Sequence, residues 1–410
     1  MKNGWGLVVA LACAQLVSWG SVYYSFSLFV LPMEAELGWD RTWINGALSL
    51  GLFVSGIGAY PVGRWIDRRG GRTVMTAGSV LATVLLYAWS QISSLPLFYL
   101  VWLGLGLALA ATLYEPVFAV VTRTFPKSYR TRITALTLIG GFASTLFIPL
   151  TQLFIEWLGW RDALVALAAC NLILCVPVHA FLLRHEGGGA ERAAALAEPT
   201  VDESGAVRRA FRHPVFWGLA ISFTAYYTTM SALVFHIVPL LVERGLSMGQ
   251  ILAAVAVIGP AQVAGRTVLM AFRGGVSAAV SGRCATGLFV VSILPLILFP
   301  ESAAGAFAFA FLYGSANGVV TIVRGTAVPD LMWREGYGAI NGALSLPANA
   351  AKAVAPFGAA FIWTLGGGYG PVLWTLLGGA ILAAAGFWFA SSPSLAAMAS
   401  PGATGRVFGR

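Results

Sequence analysis

Twelve long apolar runs separated by short polar breaks set the pattern of this chain: about residues 7–31, 43–63, 73–91, 96–121, 133–155 and 161–183, then 214–241, 248–271, 283–299, 303–325, 338–363 and 369–391. A helix needs roughly 20 apolar residues to cross the hydrocarbon core of a bilayer, and each run is read as one crossing. The longest polar interruption, residues 184–213, carries Gly187-Gly188-Gly189, five acids and several arginines. It reads as a cytoplasmic linker between two six-helix bundles, residues 1–183 and 214–391, with residues 392–410 as a polar tail. The expected fold is an all-α membrane protein of twelve transmembrane helices in two pseudo-symmetric bundles.

Composition agrees with the pattern and narrows the function. Hydrophobic residues are 58% and charged residues 10% of the 410, where soluble domains carry roughly 25% charged. The net charge of +9 is spread over short loops rather than gathered on one module, so no nucleic-acid partner is expected. With both termini inside, three of the 25 Lys and Arg fall in outer loops (Arg41, Arg161, Arg244), three fall within runs, and 19 fall on the inner side. That asymmetry predicts a multi-pass protein of the cytoplasmic (inner) membrane with cytoplasmic termini. The first run, from about Leu7, exceeds a signal-peptide core of roughly 7–15 residues and reads as a span. Cys13, Cys170, Cys175 and Cys284 lie in apolar runs without metal-ligand spacing, so neither a metal nor a cofactor is expected. No nucleophile motif or phosphate loop appears, and an enzyme is not expected.

The halves repeat each other. Tyr23-Tyr24 maps onto Tyr226-Tyr227 with an offset of 203, Phe125-Pro126 onto Val328-Pro329 with the same offset, and Gly70-Gly71 onto Gly274-Gly275 with an offset of 204. Six helices per half make the repeats parallel, related by an axis along the membrane normal.

The stretch from Gly63 to Arg72 is the densest charge between two runs, and it reads as a wet, tight turn. In it Gly63, Asp67, Arg68, Gly70 and Arg72 match in order the signature loop of the major facilitator superfamily, which the whole chain resembles. Within that superfamily it looks most like the monocarboxylate porters and oxalate/formate antiporters. The carrying residues are Gly4-Trp5-Gly6, Leu37-Gly38-Trp39-Asp40-Arg41-Thr42, Gly159-Trp160-Arg161, and Arg266, which matches the arginine that grips a carboxylate in those porters. Two positions depart from the pattern: Gln262 stands where an acid precedes that arginine, and Phe26 or Ser27 where the first helix carries lysine. The resemblance implies a substrate held between the halves. It also implies that Asp67 and its neighbours form a conformational latch against the end of the eleventh helix, near Tyr337-Gly338.

Charges inside spans are costly and are functional candidates by default. Glu115, Arg266, Arg324 and Lys352 are such residues. Arg266 reads as an anion anchor or as a structural partner of Glu115 or of helix-end carbonyls. Lys352 reads as a second anion contact, a titrating group or a salt-bridge partner. Glu115 is a proton carrier, or a gate paired with Arg324 or Lys352, or a local structural pair. Arg324, near the inner end of its run, equally reads as snorkelling to water. His236, near the outer end of its run, is a secondary titrating candidate. Tyr23, Tyr24, Tyr226 and Tyr227 fall near mid-helix, where one of each pair is expected to face a central cavity with Gln262 and Asn317.

The expected function is secondary transport of a small organic anion, monocarboxylate-like, by alternating access in a monomer, with protons as the coupling ion and the mode a symporter. Efflux of amphipathic or aromatic compounds is the alternative, and a non-transporting membrane sensor is the rival of another class.

Overall fold

The computed structural model describes residues 4–125, 128–185, 203–271, 276–333, 337–393 and 395. Twelve long helices carry the architecture and are labelled α1 to α12. In the first half these are α1 (Trp5–Leu37), α2 (Arg41–Arg69), α3 (Gly71–Ser90), α4 (Leu95–Thr112 continued by Tyr114–Thr124), α5 (Tyr129–Gly140 continued by Ala143–Leu158) and α6 (Trp160–Phe181). In the second half they are α7 (Pro214–Glu243), α8 (Met248–Ala271), α9 (Ala278–Leu298), α10 (Ala303–Leu331), α11 (Tyr337–Gly366) and α12 (Tyr369–Ala390). Eleven of them are long and apolar enough to cross a membrane. The other, α11, has the length at 30 residues, but Asn349, Lys352 and two prolines dilute its apolar character. We call the face carrying the start of α1 proximal and the opposite face distal.

Local chemistry explains where the helices start and stop. Asp40 caps α2 by accepting from Thr42 N at 2.7 Å, and Ser302 caps α10 by accepting from Gly305 N. Gly159 and Gly70 take φ of +81° and +84°, left-handed values that side chains resist. The expected loop from Gly63 to Arg72 is corrected: α2 continues helically through Arg69 and the turn is Gly70 alone. Basic side chains at a helix C-terminus complement the partial negative charge there, which favours helix over loop. Arg72 Nε then reaches Ala180 O at 2.8 Å. The side chains of Asp67, Arg68 and Tyr337, where the latch falls, lie outside the described residues. In the expected linker, Leu182–His185 form a 3-10 turn and Glu203–Phe211 a short helix, with residues 186–202 outside the described set. The tail lies almost wholly outside it too.

Small residues let helices approach closely in both halves. A Cβ on Gly106 of α4 would lie 2.3 Å from Gly51 O of α2, and one on Gly318 of α10 would lie 2.2 Å from Gln262 O of α8. The two contacts join corresponding helices of the halves, α2 with α4 and α8 with α10. On the distal face, Arg161 Nη1 donates to Ser90 O and Ile92 O while Trp160 Nε1 and Arg161 Nε donate to Glu36. Gly159-Trp160-Arg161 is thus a strap holding the ends of α1, α3 and α6.

A seam between the halves runs along one stripe of α2. Seven residues make about two helical turns, so Thr42, Ser49, Gly56 and Gly63 face one way. Thr42 Oγ1 meets Thr364 Oγ1 of α11 at 2.9 Å, and Ser49 Oγ accepts from Phe357 N at 3.2 Å. Further along, Gly56 and Gly63 have nothing within 4 Å of where a Cβ would sit, and Ala350 of α11 is exposed. The stripe is zipped on the distal side and parted on the proximal side.

Candidate functional site

We call chamber the region near the middle of the helices where Trp19, Tyr23, Tyr24 and Tyr114 of the first half meet Lys352 and Arg266 of the second. Three helices change course there. In α1, Trp19–Tyr24 winds as a π turn, which offers Trp19, Tyr23 and Tyr24 on neighbouring faces. A Cβ on Gly20 would strike the Phe147 ring, so the turn also rests on α5. In α4 the helix breaks at Leu113, whose φ and ψ are −80° and −159°, and resumes at Tyr114 with Glu115 in its first turn. In α11, Pro347 and Pro356 flank Lys352.

Aromatic rings form the first half's wall. Trp19 sits 4.9 Å from Tyr23, 6.0 Å from Tyr24 and 5.1 Å from Tyr114 between ring centroids, and Tyr114 stacks on Phe118 at 5.2 Å. From the second half, Lys352 Nζ lies 5.2 Å from the Tyr23 ring centre and 5.8 Å from that of Trp19. Tyr23 is 2% exposed, and its hydroxyl makes no hydrogen bond of ordinary geometry although Ser231 lies beside it. Tyr313, equally buried, also holds an unpartnered hydroxyl. Tyr226 donates to Asn317 Oδ1 at 2.6 Å and packs on Tyr227 and Phe289. In each tyrosine pair, therefore, one ring is buried and the other, Tyr24 or Tyr227, is partly open.

The cations are placed as follows. Arg266, half-buried, spends one donor: Nε to Gly318 O at 3.3 Å. Its two terminal nitrogens have no partner among the described residues, and the hydroxyls of Tyr24, Tyr114 and Tyr226 lie within its electrostatic reach. Gln262, one turn earlier on α8, contributes its backbone oxygen to the Gly318 contact. Lys352 Nζ makes no hydrogen bond, and Glu115 and Tyr227 lie within its electrostatic reach. Glu115 is exposed at the protein surface. Between described residues the ion pairs are Glu34–Arg41 and Glu36–Arg161. The expected Glu115–Arg324 gate is not formed here. Arg324 donates instead to Asn341 Oδ1 at 2.5 Å and Ser345 Oγ at 2.6 Å and lies over the Phe223 ring. It ties α10 to α11 and α7.

His236 belongs to a different constellation at the distal face. It is 1% exposed. Its Nε2 lies 2.9 Å from Pro356 O, and a carbonyl only accepts, so Nε2 carries the proton and Nδ1 accepts from Tyr369 Oη at 2.8 Å. Tyr369 Oη in turn accepts from Arg41 Nη1 at 3.3 Å. Arg41, only 7% exposed, is gripped by Glu34 through two bonds of 2.8 Å and lies 4.1 Å from the centre of the Trp363 ring. Sequence reading counted Arg41 as an outer-loop residue; the capping Asp40 beside it turns it inward. Trp19, Tyr114, Ser231 and Tyr313 were also missed as chamber residues. A polar or aromatic side chain in mid-run was the available signal, but nothing local separates such a residue from ordinary packing.

The comparisons agree with this geometry. The family model described as "Major Facilitator Superfamily" matches residues 11–356. The chain is 28% identical over 341 residues to Monocarboxylate transporter 13 of Bos taurus, covering 80% of this chain and 76% of that protein. It is 35% identical over 192 residues to Monocarboxylate transporter 11 of Homo sapiens, covering 44% and 38%. Among solved structures, the nucleoside transporter NupG superposes with a TM-score of 0.72 at 15% identity, over 94% of this chain and 98% of that one. A bacterial homolog of the human lysosomal transporter Spinster, inward-facing and occupied, does so at 0.69 and 14% identity, over 95% and 97%. The two-bundle helical fold and the matched family model together make this chain a member of the major facilitator superfamily, a multi-pass membrane transporter homologous to monocarboxylate transporters.

Proposed function

We propose that this transporter moves a small, monocarboxylate-like organic anion by alternating access, coupled to protons. One observation carries the reading: among the described residues neither the terminal nitrogens of Arg266 nor Lys352 Nζ has a hydrogen-bond or ion-pair partner, and both cations lie beside the Tyr23-Tyr24 pair. Leaving two cations unpaired inside a bilayer is costly, and an anionic substrate removes that cost when it binds. Arg266 supplies two parallel donors suited to a carboxylate. Tyr24, Tyr227 and Asn317 contact the remainder of the substrate, and Tyr23 and Tyr226 back them. Glu115, within electrostatic reach of Lys352, takes the proton. The proximal face, which holds most of the basic residues, is assigned to the cytoplasm of the inner membrane. Asp67 with Gly63, Arg68, Gly70 and Arg72 then acts as the latch of that side, and a monomer suffices because both halves lie in one chain.

The aromatic wall of Trp19, Tyr23, Tyr24 and Tyr114 favours a second reading, export of an amphipathic aromatic compound. Thermal stabilisation of the purified protein separates the two. Benzoate and short aliphatic carboxylates are compared with their neutral amides. Anion transport requires that carboxylates raise the melting temperature and amides of the same shape do not. Equal stabilisation by the amides overturns it.

A further inference from the structure

Proline inside a helix removes one N–H, which leaves the carbonyl four residues earlier without its partner. In lipid an unpaired carbonyl is costly, and hydroxyl or amide side chains of neighbouring helices are among the few groups able to repair it. Two intrahelical prolines, Pro260 and Pro356, and Pro116 in the first turn after the break in α4 show this repair, each within six residues of a charged chamber residue.

Pro356 frees Lys352 O, and Ser231 Oγ donates to that oxygen at 2.8 Å. Pro116 frees Thr112 O at the break in α4, and Gln15 Nε2 donates to it at 2.5 Å; Glu115 is the adjoining residue. Pro260 frees Ala256 O, and Thr145 Oγ1 donates to it at 3.2 Å across the seam from α5 to α8, which carries Arg266. By contrast, the oxygens that Pro32, Pro61, Pro149, Pro239, Pro295 and Pro347 free receive no side-chain donor from described residues. Repair is therefore not general among the prolines of this fold, and near the chamber it is supplied by Ser231, Gln15 and Thr145.

Ser231 and Gln15 are both buried. Each donates to a backbone oxygen of a different helix. Ser231 acts on the carbonyl of Lys352 itself, and it fixes the azimuth at which the lysine leaves α11.

We propose that Ser231 is a positioning residue: by capping the carbonyl that Pro356 frees, it aims the Lys352 ammonium into the chamber, and Gln15 does the same for Glu115 at the break in α4. The proposal rests on Lys352 contacting the anion, and the test keeps the two ideas separable.

The experiment measures uptake kinetics of labelled benzoate in proteoliposomes for the full chain, for Ser231→Ala, Ser231→Thr, Lys352→Met, and for Ser231→Ala combined with Lys352→Met. Ser231→Ala loses the hydroxyl and is expected to raise KM about tenfold while kcat changes less than threefold. Ser231→Thr keeps a donor and returns KM to within about threefold of the parent. In the Lys352→Met background the serine change has no further effect on KM, since there is no ammonium left to aim. A Ser231→Ala protein that melts lower but transports with the parent KM overturns the proposal, because a merely structural cap predicts that result. An equal KM increase in the Lys352→Met background overturns it as well. If Lys352→Met alone leaves KM unchanged, the anion contact itself has failed, and positioning falls with it.

Discussion

Replacing Arg266 with glutamine is the sharpest single perturbation of the chamber. The side chain makes one hydrogen bond to protein, at 3.3 Å to Gly318 O, and it sits against a helix contact set by Gly318 and Gln262 backbone. A glutamine amide can still donate in that direction, so the folded state loses at most about 1 kcal/mol. The loss on the substrate side is larger. The two terminal nitrogens are unpartnered, and a carboxylate seated on them receives charge-assisted bonds worth about 1.5–3 kcal/mol each. Losing one such bond costs about 10- to 150-fold in Kd, and losing both more. The assay pairs a melting curve with concentration-dependent uptake in proteoliposomes. The expected result is a melting temperature close to that of the parent with a KM at least tenfold higher, or uptake too weak to saturate. Uptake by a well-folded Arg266→Gln protein with KM within about twofold of the parent refutes the anchor.

Two further outcomes are expected. Glu115→Gln removes the proposed proton carrier, so uptake ceases to rise as the pH on the distal side falls, while anion exchange without a gradient persists; an unaltered pH response assigns proton coupling elsewhere. Arg41→Gln cuts the bonds that cross the distal seam to Tyr369 and Trp363 while leaving His236 with Tyr369 and Glu243 with Trp363. Electron–electron distance measurements between spin labels at Ser94 and Glu301, in a chain with its four cysteines replaced, should then show the longer-distance population gaining about tenfold. An unchanged distribution removes Arg41 from the gate.

Much of the fold follows from periodic hydropathy, because a bilayer forces length and apolarity on each helix and loops must be short and polar. The charged stretch from Gly63 to Arg72 shows where that reasoning stops. Polar composition predicts a loop in water, but helix propensity and the C-terminal dipole carry α2 to Arg69, and the apparent loop shrinks to Gly70. The same limit applies to the site. Arg266, Lys352 and the tyrosine pairs stand out because polar groups in apolar runs are rare. Their partners do not stand out. Arg41 looks like any loop arginine until Tyr369, 328 residues away, lies against it. Arg324 reads as a gate by position, yet the nearer Asn341 and Ser345 satisfy it. Ser231 and Gln15 are ordinary mid-helix polar residues in the sequence, and their meaning comes from prolines on other helices.

The claim that this transporter carries small organic anions is tested most directly by uptake into liposomes containing the purified full chain. Labelled short monocarboxylates and benzoate are offered with and without a proton gradient, and neutral and cationic aromatic amphiphiles are run in parallel. The account predicts saturable uptake of at least one carboxylate, accelerated when the outside is made acidic, and no movement of the neutral or cationic compounds. Transport of those amphiphiles with no uptake of any carboxylate contradicts it.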